Sequence, residues 1–239
     1  MLYIVGTPIG HLADMTFRAV ETLRNVELIA AEDTRRTAIL LKHYGIVSPL
    51  LSYHEHNEAR RTAELVQKLQ NGMRLALVTD AGMPAISDPG NRLIRACIEN
   101  EVPMEVIPGV SAVTTAIAGS GLGGENFYFG GFLPNKSGQR HKALERALES
   151  GVVSLFFESP HRLLKTLRAL EEAAPSQPLC VARELTKKFQ EFQRGNASEL
   201  IAHYSARPPK GEVTLLIAGS ARTRNEKPIT SGGDTDRIA

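Results

Sequence analysis

Two adjacent carboxylates, Glu32 and Asp33, sit in AAEDTRRT (30–37), with Arg35 and Arg36 just behind them. Paired carboxylates can exchange protons with a substrate, and a pair of arginines can grip a phosphate through forked N–H groups. A helix start accounts for Asp33 more simply, as an N-cap, while Arg35 and Arg36 keep a role as phosphate contacts. SYHEHNEAR (52–60) offers His54 and His56. No third and fourth ligand follow at metal-site spacing, so no metal is expected, and a polar loop with Asn57 as a cap is the simpler reading. FLPNKSGQRHK (132–142) gathers Lys136, Arg140, His141 and Lys142, which suits a mobile basic loop lying on phosphates. FFESPHR (156–162) and ARELTKKF (182–189) each follow an apolar run. Their Glu158, His161, Arg183, Glu184 and Lys187 are expected to converge between domains.

Three rigid turns carry a different kind of chemistry. GTPIG (6–10), TDAGMPAISDPG (79–90) and IPGVSA (107–112) each follow a short apolar run. Such turns at the carboxyl ends of parallel strands line the crevice where open α/β sheets bind ligands. The second is far longer than a strand-to-helix connection needs. Its end, SDPG, reads as a helix start with Asp88 as cap and Pro89 at the first helical position. Ser111 reads as the cap of the helix after the third turn. GSGLGG (119–124) matches G-x-G-x-x-G only literally. A helical pattern precedes it and a strand pattern follows, the reverse of a dinucleotide fingerprint, so it reads as a hinge between domains.

The elements that must position these groups alternate. LYIVG (2–6), ELIAA (27–31), LALVT (75–79) and MEVIPG (104–109) read as buried strands. Between them Phe17, Val20 and Leu23, then Leu65, Val66 and Leu69, then Leu93 and Cys97 recur at helical spacing. Alternation of this kind makes an α/β domain with a mostly parallel sheet, placed at residues 1–117. A second αβ domain at 118–220 has strands at 127–133, 152–158, 179–185 and 212–219, in a mixed or antiparallel sheet. The tail from 221 to 239 is polar and aperiodic, and is expected to be disordered.

The 239 residues carry a net charge of +2, divided unevenly. From Gly121 onward 17 Lys+Arg face 13 Asp+Glu, or +4; before it 11 face 13, or −2. A basic second half fits an anionic partner such as nucleic acid. No apolar run is long enough to span a membrane, and the first residues lack a signal-peptide pattern. Cys97 and Cys180 sit inside apolar elements and read as buried free thiols in a cytoplasmic protein.

YIVGTPIG, AEDTRRT, TDAGMPAISDPG, PGVSA, GGFLP, FESPHRL, ARELTK and the late GE (211–212), in this order, resemble the ribosomal RNA small subunit methyltransferase I family. These are 16S rRNA cytidine 2′-O-methyltransferases of the tetrapyrrole methylase superfamily. The resemblance spans residues 2–219. It implies two αβ domains, not Rossmann-like, with S-adenosylmethionine in the cleft between them, a homodimer, and a cytidine ribose of small-subunit 16S rRNA as acceptor. By motif it implies cofactor contacts at Pro8, Asp80, Ala81, Gly82, Met83, Pro84, Ile86, Ser111, Ala112, Phe157 and Ala182. Glu158, Glu184 and Lys187 are the candidate bases, and Arg183 joins Arg35, Arg36, Lys136, Arg140 and Lys142 as an RNA contact. The chain departs from the family pattern at His11, where asparagine is usual, and at Thr79 and Met83, where the usual loop reads S-D-A-G-T-P. Many members carry a helical C-terminal extension, in whose place a short polar tail is expected here. Methylation of a tetrapyrrole or other small acceptor, and a non-catalytic role in ribosome assembly, are the alternatives.

Overall fold

The structure is a computed structural model that describes residues 1–219; the tail expected to be disordered lies outside the described residues. Ten strands and eight α-helices make it up, alternating except where β9 follows β8. The first half contains β1 (Leu2–Val5), α1 (Phe17–Asn25), β2 (Leu28–Ala31), α2 (Thr34–His43), β3 (Leu50–Ser52), α3 (Glu58–Gln70), β4 (Leu75–Val78), α4 (Asn91–Glu99) and β5 (Met104–Ile107). The second contains α5 (Ala112–Ser120), β6 (Phe127–Phe132), α6 (Ser137–Glu149), β7 (Val153–Glu158), α7 (Leu163–Ala173), β8 (Leu179–Arg183), β9 (Glu191–Gly195), α8 (Ala197–Ala206) and β10 (Val213–Ile217). No helix among the described residues is long and apolar enough to cross a membrane.

The first sheet is parallel throughout, in the order β3-β2-β4-β1-β5. Its strands alternate side chains between two covered faces, as a doubly buried parallel sheet requires. Leu2, Ile4, Leu75 and Leu77 pack with Leu65, Val66, Leu69, Leu93 and Cys97 of α3 and α4. Val5, Ala76 and Val78 pack with Ala19, Val20, Leu23 and Leu41 of α1 and α2. The chain therefore leaves β1 toward one face and β4 toward the other, and a crevice opens at their carboxyl ends. Asp33 caps α2 as expected, accepting from Arg35 N–H at 2.9 Å. The short β3 was not visible as a sequence pattern.

The second sheet is mixed, in the order β6-β7-β10-β8-β9, with β6 parallel to β7 and the other pairs antiparallel. Helices α6, α7 and α8 bury Leu144, Leu163, Leu167, Leu170 and Leu200 against one face. The other face is covered by α5, through Val113 and Ala116, and by Ile9 from the first turn. Helix α5 thus packs on the second sheet, although the sequence reading places its first residues, up to 117, in the first domain. The start of the 119–124 segment is tied to the second sheet. Arg194 of β9 donates from Nε to the Ser120 carbonyl at 2.8 Å and also bonds the Gly119 carbonyl. Cys97 and Cys180 are buried and unbonded to each other, and burial pushes both thiols up to about 11.

The rim where the turns meet leaves no room for a side chain at Gly6. A Cβ there would lie 2.6 Å from Met83 Sδ and 2.8 Å from Gly109 Cα. Gly6→Ala should therefore cost about 1–3 kcal/mol through overpacking. Urea unfolding should show a lower midpoint at an unchanged slope.

Candidate functional site

The long turn after β4 is held by its backbone. Thr7 and Gly82 exchange two backbone hydrogen bonds, Thr7 N–H to Gly82 O at 2.9 Å and Gly82 N–H to Thr7 O at 3.0 Å. Gly82, Ala85, Ser87 and Gly90 all have positive φ, at 82°, 68°, 62° and 130°. Such angles in Ala and Ser are costly and persist only where surrounding contacts fix them. The helix after the turn starts at Asn91 with Gly90 as its N-cap. Asp88 is thus not the cap it was read to be. Ser111 and Asn57 occupy N-cap positions, yet neither side chain makes a capping bond; Asn57 Oδ1 accepts instead from His54 N–H.

Between the two sheets lies a cleft of about 700 Å³, within the range of small-molecule sites. Of the residues expected to touch the cofactor, Ala81, Gly82, Met83, Ile86, Ser111, Ala112 and Phe157 line it. Four other residues implied as cofactor contacts do not line it. Pro8 and Asp80 face a smaller cavity of about 280 Å³ on the other side of the turn. Pro84 is packed beneath Gly90, and Ala182 is buried in the core under α5. Asp80 is a tie between strand ends: its carboxylate accepts from Asp33 N–H at 3.1 Å and pairs with Arg36 at 3.3 Å. Reading by motif missed Ile9, Asp88, Phe132, Asn135, Arg162 and Glu212, all in the cleft wall. Of these, Glu212 lies in the GE of the motif series, and that GE is the signal that would have found it.

Each of the three candidate bases is engaged by hydrogen bonds or ion pairs. Glu158 is buried and accepts from Ser159 N–H at 2.7 Å, Thr166 Oγ1 at 2.6 Å and Arg162 at 2.6 Å, which occupies both of its oxygens. Burial alone would raise the Glu184 carboxyl, but the Glu212 N–H and Lys187 ammonium bonded to it hold it below its ordinary value. Partial burial would lower the Lys187 ammonium, yet its bonds to Glu212 and Glu184 outweigh that and raise it. A depressed carboxylate and an elevated ammonium are poor bases at neutral pH.

The basic residues divide as well. Arg140 is only 3% exposed and donates to the carbonyls of Pro134 and Asn135, so it shapes the loop instead of meeting a phosphate. It also lies inside α6, which shortens the expected loop. Arg183 is spent on Glu191, Lys210 O and Phe189 O. Lys136 and Lys142 are exposed. Arg35 is exposed but forks onto Asp33, whose carboxyl it holds far below the usual range; Arg36 pairs with Asp80. His54 and His56 stack edge to face at 5.9 Å. Among the described residues no group of three or more His, Cys, Asp or Glu could hold a metal.

Asp88 stands apart from these paired groups. It lines the cleft, and burial first, then the charges of Glu32 and Asp80, push its carboxyl up to about 7. Glu32 is also raised, by burial first and by Asp80 among its other causes. Thr79 Oγ1 is buried with no partner at full hydrogen-bonding distance, and offsets the rise at Asp88 only in part.

Residues 1–201 match the family described as Tetrapyrrole (Corrin/Porphyrin) Methylases. A Thermotoga maritima protein named Ribosomal RNA small subunit methyltransferase I is 48% identical over 91% of this chain and 98% of its own. The chain belongs to that methyltransferase family. A Synechocystis relative of the same name is 48% identical over 97% of the chain and 82% of its own. Among solved structures, the methyltransferase CobJ aligns at TM-score 0.69 with 18% identity, covering 92% of this chain and 94% of that one. Diphthine synthase aligns at 0.69 with 14% identity, covering 91% and 89%. At such identities these two speak for the fold alone, which is the two-domain tetrapyrrole methylase type expected from sequence.

The raised Asp88 carboxyl has a consequence for stability. An unfolded aspartate titrates near 3.9, so between about pH 4 and 7 the folded state holds more protons than the unfolded one. Stability therefore falls as pH rises through that window and stays lower above it. The full shift would amount to about 4 kcal/mol; the side chain is partly exposed, and screening leaves about 1–2 kcal/mol. Asp88→Asn should raise the thermal midpoint at pH 8 and leave it nearly unchanged at pH 4, as calorimetry at the two pH values would show.

Proposed function

We propose that the protein transfers a methyl group from S-adenosylmethionine to the ribose 2′-oxygen of a cytidine in the 16S rRNA of the small ribosomal subunit. The observation that carries this reading is the 48% identity over nearly the whole length of a relative named for that rRNA, joined to a cleft whose wall fits the donor. The fit is chemical. Gly82 brings backbone close to the ligand space, and Ile9, Met83, Val113, Phe157 and Val213 offer apolar surface for an adenosyl group and a methionine chain. Asp88, which no cation of the chain answers, adds a carboxylate to the same wall. A pocket with many apolar contacts and few polar groups recognises such a ligand by shape.

When bound, S-adenosylmethionine supplies an electrophilic methyl group on a positively charged sulfur. The residues of this chain then have three tasks. The turn at 80–86 and the Ser111–Ala112 helix start orient the donor, and alignment is the main requirement of a displacement at carbon. Phe132 and Phe157, edge to face at 5.3 Å, screen one side from water. Lys136 adjoins Asn135 of the cleft wall and, with Lys142 on the exposed side of α6, meets RNA phosphates at its mouth. Arg35 and Arg36 extend that contact on the other domain by exchanging their carboxylate partners for phosphate. A homodimer in the cytoplasm belongs to the same reading.

The test is direct. Calorimetric titration should show S-adenosylmethionine binding, and incubation with 30S subunits lacking the modification should add one methyl to a cytidine ribose, located by mass spectrometry of rRNA fragments. Transfer should weaken steeply with salt. Cofactor binding with methyl transfer only to a small acceptor would replace RNA as the substrate. No cofactor binding at all would overturn the methyltransferase reading for this chain.

A further inference from the structure

We propose that Asp88 is the general base that accepts the proton of the acceptor hydroxyl as the methyl group is transferred. The inference rests on the functional reading above and assigns the one role in it that the sequence left open. Three carboxylates line the cleft: Asp88, Glu158 and Glu212. Glu158 accepts from Ser159, Thr166 and the Arg162 cation, so its charge is already answered. Glu212 lies at the exposed edge and is paired with Lys187 at 2.9 Å. Asp88 has no cation among the groups that act on it.

Its position is as telling as its freedom. A polar chamber of about 520 Å³, walled by Glu32, His54, His56 and Glu58, lies beside the cleft. The two cavities share only Ser87 and Asp88. A proton taken up on the donor side can therefore leave on the other. The positive φ of Ala85 and Ser87 sets where the carboxylate points.

The charged groups around it act in one direction. Glu32 and Asp80 face it from the ends of β2 and β4 and disfavour its ionised form, although Asp80 is partly neutralised by Arg36. His54, Glu55, His56 and Glu58 stand across the chamber, and Arg162, engaged by Glu158, across the cleft. A carboxyl raised to about 7 is ionised often enough at neutral pH, and basic enough, to serve as a general base.

The step balances. A lone pair of the hydroxyl oxygen forms the new O–C bond to the methyl carbon. The C–S bond breaks with its electron pair going to sulfur, which becomes a neutral thioether. The hydroxyl proton passes to the Asp88 carboxylate, and from there to water through the chamber.

The experiment compares wild type, Asp88→Asn and Glu32→Gln as full chains on 30S subunits, with cofactor binding followed by calorimetry. Wild-type kcat/KM should rise with pH and level off above about 7. Asp88→Asn should bind S-adenosylmethionine yet lose about 100- to 1000-fold in kcat, and lose the inflection. Glu32→Gln removes a like charge and should move the inflection to lower pH. Without cofactor or RNA, proton-titration curves of wild type and Asp88→Asn should differ by one proton near pH 7. Full turnover by Asp88→Asn with an unchanged pH profile, or no such proton, would overturn the assignment alone. A wild-type protein that binds the cofactor but methylates no RNA would overturn the acceptor reading and this inference with it.

Discussion

The exchange of two backbone hydrogen bonds between Thr7 and Gly82 is the constraint on which the site depends. It joins the turn after β1 to the turn after β4 outside the sheet, so the two loops behave as one surface. Gly6 and Gly109 approach until a Cβ on either would touch the other's backbone, which brings in the turn after β5. Three turns that would be independent loops in another sheet become a single rim. Backbone contacts of this kind cost little side-chain entropy to hold and leave Ala81, Met83, Ile86, Ser87 and Asp88 to face the cleft.

The rim explains why the long turn is long. A direct path from β4 to α4 needs few residues. This one descends to Thr7, crosses the cleft wall at Met83 and Ile86, and returns at Gly90, with positive φ at four positions. It also passes the carboxylates of the β2 end, and that passage gives Asp88 its unusual environment. Arg36 pairs with Asp80 and also acts on Glu32, yet the two carboxylates still push the Asp88 carboxyl up. Strain and uncompensated charge meet in the same few residues, a pattern that stability alone would not favour.

Much of the architecture was legible because its signals are local. Strand runs ending in turns, helical spacing between them and the order of motifs give two αβ domains and the residues of the rim. What the sequence hid was relational. SDPG has the composition of a helix start, but Gly90 at φ 130° takes the cap position and leaves Asp88 beside the cleft. Arg140 and Arg183 look like surface charges, and only the fold shows the carbonyls and the carboxylate that consume them. The small apolar residues of α5 carry no mark of which sheet they cover. Glu184 and Lys187 have the right types for proton transfer, and only their partners show that each is occupied.

That occupation has a purpose of its own. Lys187 bridges Glu184 and Glu212, and the segment carrying it presses on the first turn: His11 N–H bonds Thr186 Oγ1 at 3.1 Å, and a Cβ on Gly10 would lie 2.5 Å from Lys187 Cγ. Glu184 and Thr186 themselves sit at positive φ. The polar cluster is a strut between the domains on one side of the cleft. Beside it Ile9 of the same turn is buried among Val113, Leu185 and the second sheet. A cleft fixed by a charged strut and a shared apolar core has its width set before any ligand arrives. Such preorganisation favours a reaction that needs alignment more than it needs charge.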